Sequence, residues 1–238
     1  PNAALTPQNS SWICQFYENQ YHFATLYDRK ERIPVYSAYI YQPGDGVRPS
    51  RWLVEPQLVG PNYPKNMEKE STLLKNFSVS LEQLSNSQAI LQDYKNLTGL
   101  ERGHLNPSGH HNNSSSRRAT FTLTNIVPQD AELGGGAWKN YEQQTMMRMT
   151  KDCKTTYVVT GAVPGKKYIA NRRVNIPSYI WSSACCEVDA NNRKAWGLIA
   201  ENNKNAVEEL SLRELEERLT DLYGNGSVSL FHRDCPRD

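Results

Sequence analysis

Short aromatic and β-branched runs alternate with polar turns along most of the chain. Tyr21–Tyr27 and Ile33–Tyr41 are two such runs, and the charged Asp28-Arg29-Lys30-Glu31-Arg32 between them reads as a hairpin turn. Pro34 places the second strand's start late or puts that strand at an edge. Gln42–Ser50 holds two prolines and two glycines and reads as a loop. Arg51–Glu55 has the look of a short strand. Pro56–Lys69 is irregular, and Ser71–Leu91 carries weak helical periodicity. Thr120–Ile126 alternates like a strand. Trp138, Tyr141, Thr145 and Met149 fall on one face of a helix over Ala137–Thr150. Tyr157–Ala162, Tyr179–Cys186 and Ala195–Ala200 read as strands, the last two joined by a turn at Asp189–Asn192. Ser211 and Glu214 form a capping box, Leu212, Leu215, Leu219 and Leu222 make one apolar face, and Gly224 stops the helix. Pro1–Ser11 is polar and reads as loosely held. Strands outnumber helices, which predicts an α+β fold: a central, mostly antiparallel twisted sheet flanked by helices.

Composition narrows the function classes. The chain has 238 residues, 38% hydrophobic and 22% charged, which excludes a disordered composition and fits one domain over 1–238. The net charge of +2 excludes a global cationic field, so affinity for nucleic acid requires a local patch. Arg102, Arg117, Arg118, Arg172 and Arg173 are candidates for it. No apolar run reaches the roughly 20 residues that span a bilayer, so no membrane partner is expected. Cys14, Cys153, Cys185, Cys186 and Cys235 permit two disulfides with one thiol left over, and Cys185 and Cys186 are expected to take different partners. No C-x-x-C or H-x-x-x-H pair stands near them to suggest zinc. Six N-x-S/T sequons, at Asn9, Asn76, Asn96, Asn112, Asn113 and Asn225, join the cysteines and a start at Pro1 without Met to suggest a processed, secreted, N-glycosylated chain.

The chemistry concentrates in Leu100-Glu101-Arg102-Gly103-His104-Leu105-Asn106-Pro107. A neutral imidazole at His104 can take a proton from water, and the Arg102 guanidinium can pair with phosphate oxygens. Gly103, without a Cβ, permits close approach. His110 and His111 are adjacent and seldom could converge on one ion, so they read as exposed loop residues. Phe121-Thr122-Leu123-Thr124-Asn125-Ile126-Val127-Pro128-Gln129 follows, then Gly136-Ala137-Trp138 and Glu142.

In order and spacing these segments resemble the DNA/RNA non-specific endonucleases of the ββα-metal fold. Phe23–Tyr27, Ile33–Tyr39, Arg173–Ser178 and Trp181–Cys186 extend a resemblance, over nearly the whole chain, to the vertebrate endonuclease domain-containing 1 group in its fish-type forms. The resemblance implies Mg²⁺-dependent hydrolysis of DNA and RNA without sequence choice. In it His104 activates water, Arg102 and Arg51 neutralise phosphate (with Arg48 in reserve for Arg51), Asn125 positions His104 or the phosphate, and Glu142 holds metal-bound water. Two positions depart from the family pattern. Glu101 stands where it has Asp, and Gly134 stands where its metal-binding Asn falls. Glycine offers no side-chain oxygen, which predicts weak or absent Mg²⁺ unless Glu101, Gln129 or Glu132 supplies one. Two function classes follow: an active or weakened nuclease, and a pseudo-nuclease serving as a secreted binding or structural glycoprotein.

Overall fold

The computed structural model describes all residues, Pro1–Asp238. Seven strands form one antiparallel sheet: β1 (Ser10–Tyr17), β2 (Gln20–Asp28), β3 (Ile33–Ile40), β6 (Thr155–Val163), β9 (Tyr179–Asp189), β10 (Asn192–Glu201) and β11 (Glu208–Leu210), in that order. Two small ribbons stand outside it, β4 (Leu100–His104) with β5 (Ile126–Asp130), and β7 (Lys167–Ile169) with β8 (Val174–Ile176). Pro34 is the second residue of β3 and faces a register shift in β2. β3 is a central strand that begins pairing with β6 only at Tyr36, so the proline withholds no ladder donor on that side.

Side chains alternate across a strand, and the two faces of this sheet bury two cores. One face carries Phe23, Tyr39, Val158, Ile180 and Ala184 against the helices α1 (Glu70–Asn76), α2 (Leu81–Ser87), α3 (Ser114–Ala119) and α4 (Ala131–Gly135) and the β4–β5 ribbon. The same layer holds a continuous winding over residues 137–149: α5 (Ala137–Asn140), a π-helical stretch Tyr141–Thr145, and α6 (Met146–Met149). The other face carries Val35, Val159, Trp181 and Ile199 against α7 (Leu212–Tyr223). The Ser211–Glu214 capping box starts α7, and its leucines turn inward as expected.

Alternation also decides the cysteine partners. Cys185 and Cys186 are neighbours on β9, so they point to opposite faces. Cys186 bonds Cys153 in one layer and Cys185 bonds Cys235 in the other, leaving Cys14 exposed and unpaired.

Three expectations fail. Pro1–Ser11 is not loose: Ala4 and Leu5 are buried in the second core, Asn2 is hydrogen-bonded to residues 227 and 229, and β1 begins at Ser10. Polar residues there serve as backbone partners for the C-terminal segment, which composition does not reveal. Arg51–Glu55 makes only isolated bridges, Leu53 to Thr122 and Val54 to Glu68. Thr120–Ile126 is not a strand; a helical turn at Leu123–Asn125 intervenes before β5.

Candidate active site

β4 and β5 pair with Glu101 opposite Gln129 and His104 opposite Ile126, which brings both halves of the motif onto one ribbon. β4 ends at His104. Successive residues of an extended strand face opposite ways, so Arg102 and His104 share one side of β4 while Glu101 and Gly103 share the other. Both sides open into a cleft of about 520 Å³.

On the His104 side the walls are aromatic. The backbone of Leu53 bridges Phe121 and Leu123 through N–H···O bonds of 2.8 and 3.0 Å, and this sets Trp52 beside Phe121. The His104 ring lies 5.3 Å from Trp52 at 21° and 4.4 Å from Phe121. A guanidinium covers each wall: Arg102 lies 5.7 Å from the Trp52 ring, and Arg48 lies 5.1 Å from that of Phe121. His104 Nε2 is buried without a hydrogen-bond partner. Burial first, and the Arg48 charge second, push the imidazole down to about 3, so it is neutral near pH 7.

On the other side Gly103 lies against Gln129, whose Cβ would stand 2.6 Å from any Cβ added at 103. The Gln129 side chain, in a residue only 4% exposed, reaches the cleft and makes no hydrogen bond. Glu101 is half-buried and its carboxylate also has no hydrogen-bond partner. A Cβ added at Gly134 would overlap Glu101 Oε1 and stand 3.0 Å from Gln129 Oε1. Across the cleft, burial lifts Glu142 to about 8; Arg48 pulls it down and Glu101 pushes it further up. Burial likewise raises Glu101, against Arg48. The exposed Lys139 ammonium lines the same cleft.

Several expected roles do not match the placement. Arg51 lies outside this cleft, exposed, in a separate hollow with Glu18 and Glu68. Trp52 points at His104, so its neighbour in extended backbone points away, and the cation at the cleft is Arg48. Asn125 is fully buried and saturated. Its Nδ2 donates to the carbonyls of Asn106 and Thr120, both at 2.9 Å, and its Oδ1 accepts from Ser37 Oγ at 2.8 Å and Asn106 N at 3.1 Å. It has no valence left for phosphate; it fixes the chain just beyond His104 to β3. His110 and His111 are buried, not exposed. His110 Nε2 donates to the Glu142 carbonyl at 2.8 Å, so Nδ1 accepts from Tyr39 O–H at 2.8 Å. His110 thereby ties the π-helical stretch that carries Glu142 to the sheet. Nor do the remaining arginines form a patch. Arg117 is buried against the carbonyls of His111 and Gly44, Arg118 pairs with Glu18, and Arg173 pairs with Asp93 at 2.8 Å. Glu132, the other candidate oxygen donor, is exposed and outside the cleft lining.

A histidine between aromatic walls, flanked by guanidinium groups and faced by two carboxylates, agrees with a match to the family model described as DNA/RNA non-specific endonuclease, over residues 1–224. The chain belongs to that family. It is 31% identical to the human Endonuclease domain-containing 1 protein over 239 residues, covering 99% of this chain and 45% of that protein. It is 33% identical to the mouse protein of the same name over 224 residues, covering 92% and 43%. The chain thus spans less than half the length of these curated relatives. A chain of a crystal structure of the EndoG/EndoGI complex superposes with a TM-score of 0.57 at 18% identity, covering 89% of this chain and 86% of that one, and shows the fold to be shared.

Proposed function

We propose that this chain is a metal-dependent endonuclease that hydrolyses DNA and RNA without sequence choice, and that it works outside the cell as a glycoprotein. The observation that carries the reading is His104: a neutral imidazole with an unpartnered Nε2, in a cleft that brings cations and carboxylates to one place. His104 takes the proton of the attacking water. Burial, with the Arg48 charge second, keeps its basicity low in the empty cleft, and a phosphodiester at Arg48 offsets only the second of these. Arg48 and Arg102 pair with the phosphate oxygens as negative charge grows in the transition state. Trp52 and Phe121 exclude water from one side of the imidazole and fix its plane. When bound, a divalent cation of the Mg²⁺ class would supply Lewis-acid charge to the reaction; the unpartnered oxygens of Glu101 and Gln129 would hold it, and Glu142 faces the same cleft. The cations placed at the cleft, Arg48 and Arg102, suit phosphate oxygens, which carry no sequence information.

Two disulfides and six exposed sequon asparagines support the extracellular reading. Asn112 stands beside the cleft-flanking loop at Gly44, where a glycan would crowd a duplex more than a single strand. Incubation of supercoiled plasmid and of RNA with Mg²⁺, Mn²⁺ or EDTA tests the function. Cleavage of both polymers that EDTA abolishes is expected. No cleavage with either metal would leave the alternative, a secreted glycoprotein that keeps the fold without the reaction.

A further inference from the structure

Gly134 is the one position in α4 whose missing side chain is taken up by the cleft itself. The space a Cβ would occupy is filled by Glu101 Oε1, with Glu101 Cδ at 2.8 Å and Gln129 Oε1 at 3.0 Å. Two side-chain oxygens from facing positions of β4 and β5 therefore converge over one bare patch of helix backbone. Gln129 is 4% exposed as a residue, its side chain reaches the cleft, and no protein group hydrogen-bonds it there. Glu101 has no hydrogen-bond partner, and Glu142 lines the same cleft. The longer glutamate and the side-chain-free glycine belong together: with any β-carbon at 134 the Glu101 carboxylate could not lie where it does.

We propose that Glu101 and Gln129, meeting over Gly134, are the side chains through which this cleft holds a divalent cation of the Mg²⁺ or Mn²⁺ class. The assignment rests on the nuclease reading for its purpose, but its geometry stands without it. A carboxylate and an amide oxygen are hard ligands suited to such a cation, and the remaining positions of an octahedral shell stay with water. The oxygen comes from position 101, and Gly134 is what admits it.

The test uses Mn²⁺ alone, with bound metal counted by the loss of the free-ion electron paramagnetic resonance signal, on the whole disulfide-bonded chain. The unaltered protein should bind one Mn²⁺ in competition with Mg²⁺. Glu101→Gln and Gly134→Ala should each weaken binding by about tenfold or more, the second although alanine is the better helix former. Gly134→Asn alone should weaken it too, because its side chain displaces Glu101. Joined with Glu101→Asp, which vacates that space, it should restore binding. Undiminished binding in Glu101→Gln or Gly134→Ala, no Mn²⁺ bound by the unaltered chain, or a double variant no better than Gly134→Asn would each overturn the assignment. Plasmid cleavage by the same samples separates the two readings. Cleavage in a chain that binds metal without Glu101 leaves the nuclease and removes this site. Metal bound through Glu101 without cleavage leaves the site and removes the nuclease.

Discussion

Asn125→Ala separates a structural amide from a catalytic one. Asn125 is 0% exposed, and truncation strands four buried partners: the Ser37 hydroxyl, the Asn106 N–H, and the carbonyls of Asn106 and Thr120. A buried polar group left without a partner costs about 1–3 kcal/mol. Two of the four sit on one peptide-linked residue and can relax together, so the sum is not additive. A loss of about 3–5 kcal/mol is expected, which for a chain of this size lowers the melting temperature by about 10 °C. Urea unfolding followed by tryptophan fluorescence reads it, with an unchanged slope confirming that the unfolded state is the same. Asn125→Asp should lose nearly as much, since it keeps the acceptor, removes both donors and buries a charge. Activity should fall only as far as the folded fraction and the placement of the His104–Asn106 segment fall. A loss below about 1 kcal/mol with activity gone would refute this and place Asn125 on the substrate.

Arg48→Ala should slow cleavage by about 100-fold while Arg51→Ala changes it little, measured as initial rates on one DNA substrate; the reverse order would contradict the placement of the cleft cation. Burial lifts Glu55 from an ordinary 4.5 to about 8, with Oε1 unpartnered. The unfolded chain therefore releases this proton first, and stability should fall as pH rises from about 4.5 to 8, by at most about 5 kcal/mol. Glu55→Gln should flatten that slope in a pH series of urea midpoints, and an unchanged slope would assign it elsewhere. Removing Cys153–Cys186, which closes 33 residues, or Cys185–Cys235, which closes 50, should cost about 4 kcal/mol in each case, read as a drop in the denaturation midpoint.

Alternating runs made the central strands legible, because half-buried strands repeat with period two whatever their tertiary neighbours. The capping box and leucine spacing of α7 are local signals and read as directly. Adjacent cysteines within a strand implied separate partners. The N-terminal segment was not legible, since its polar residues are consumed by backbone at the far end of the chain. Arg48 and Arg51 differ by three residues in a loop, and only the direction of Trp52 decides between them. His110 and His111 look like loop histidines until Tyr39 and Asn106 are brought to them by contacts remote in sequence. Asn125 stands out in the motif, but its saturation by four partners depends on Ser37, far upstream. The exchange between Glu101 and Gly134 was visible as two departures from a pattern; their joint meaning needed the ribbon register and the helix that follows it.

The most direct measurement compares the unaltered chain with His104→Gln on a short DNA duplex and on RNA, with Mg²⁺ and after EDTA, at matched thermal stability. Cleavage of both polymers that stops with EDTA and falls by about 100-fold or more in His104→Gln is the predicted result. Absence of cleavage, or cleavage that His104→Gln leaves intact, would contradict the assignment of this cleft as a nuclease active site.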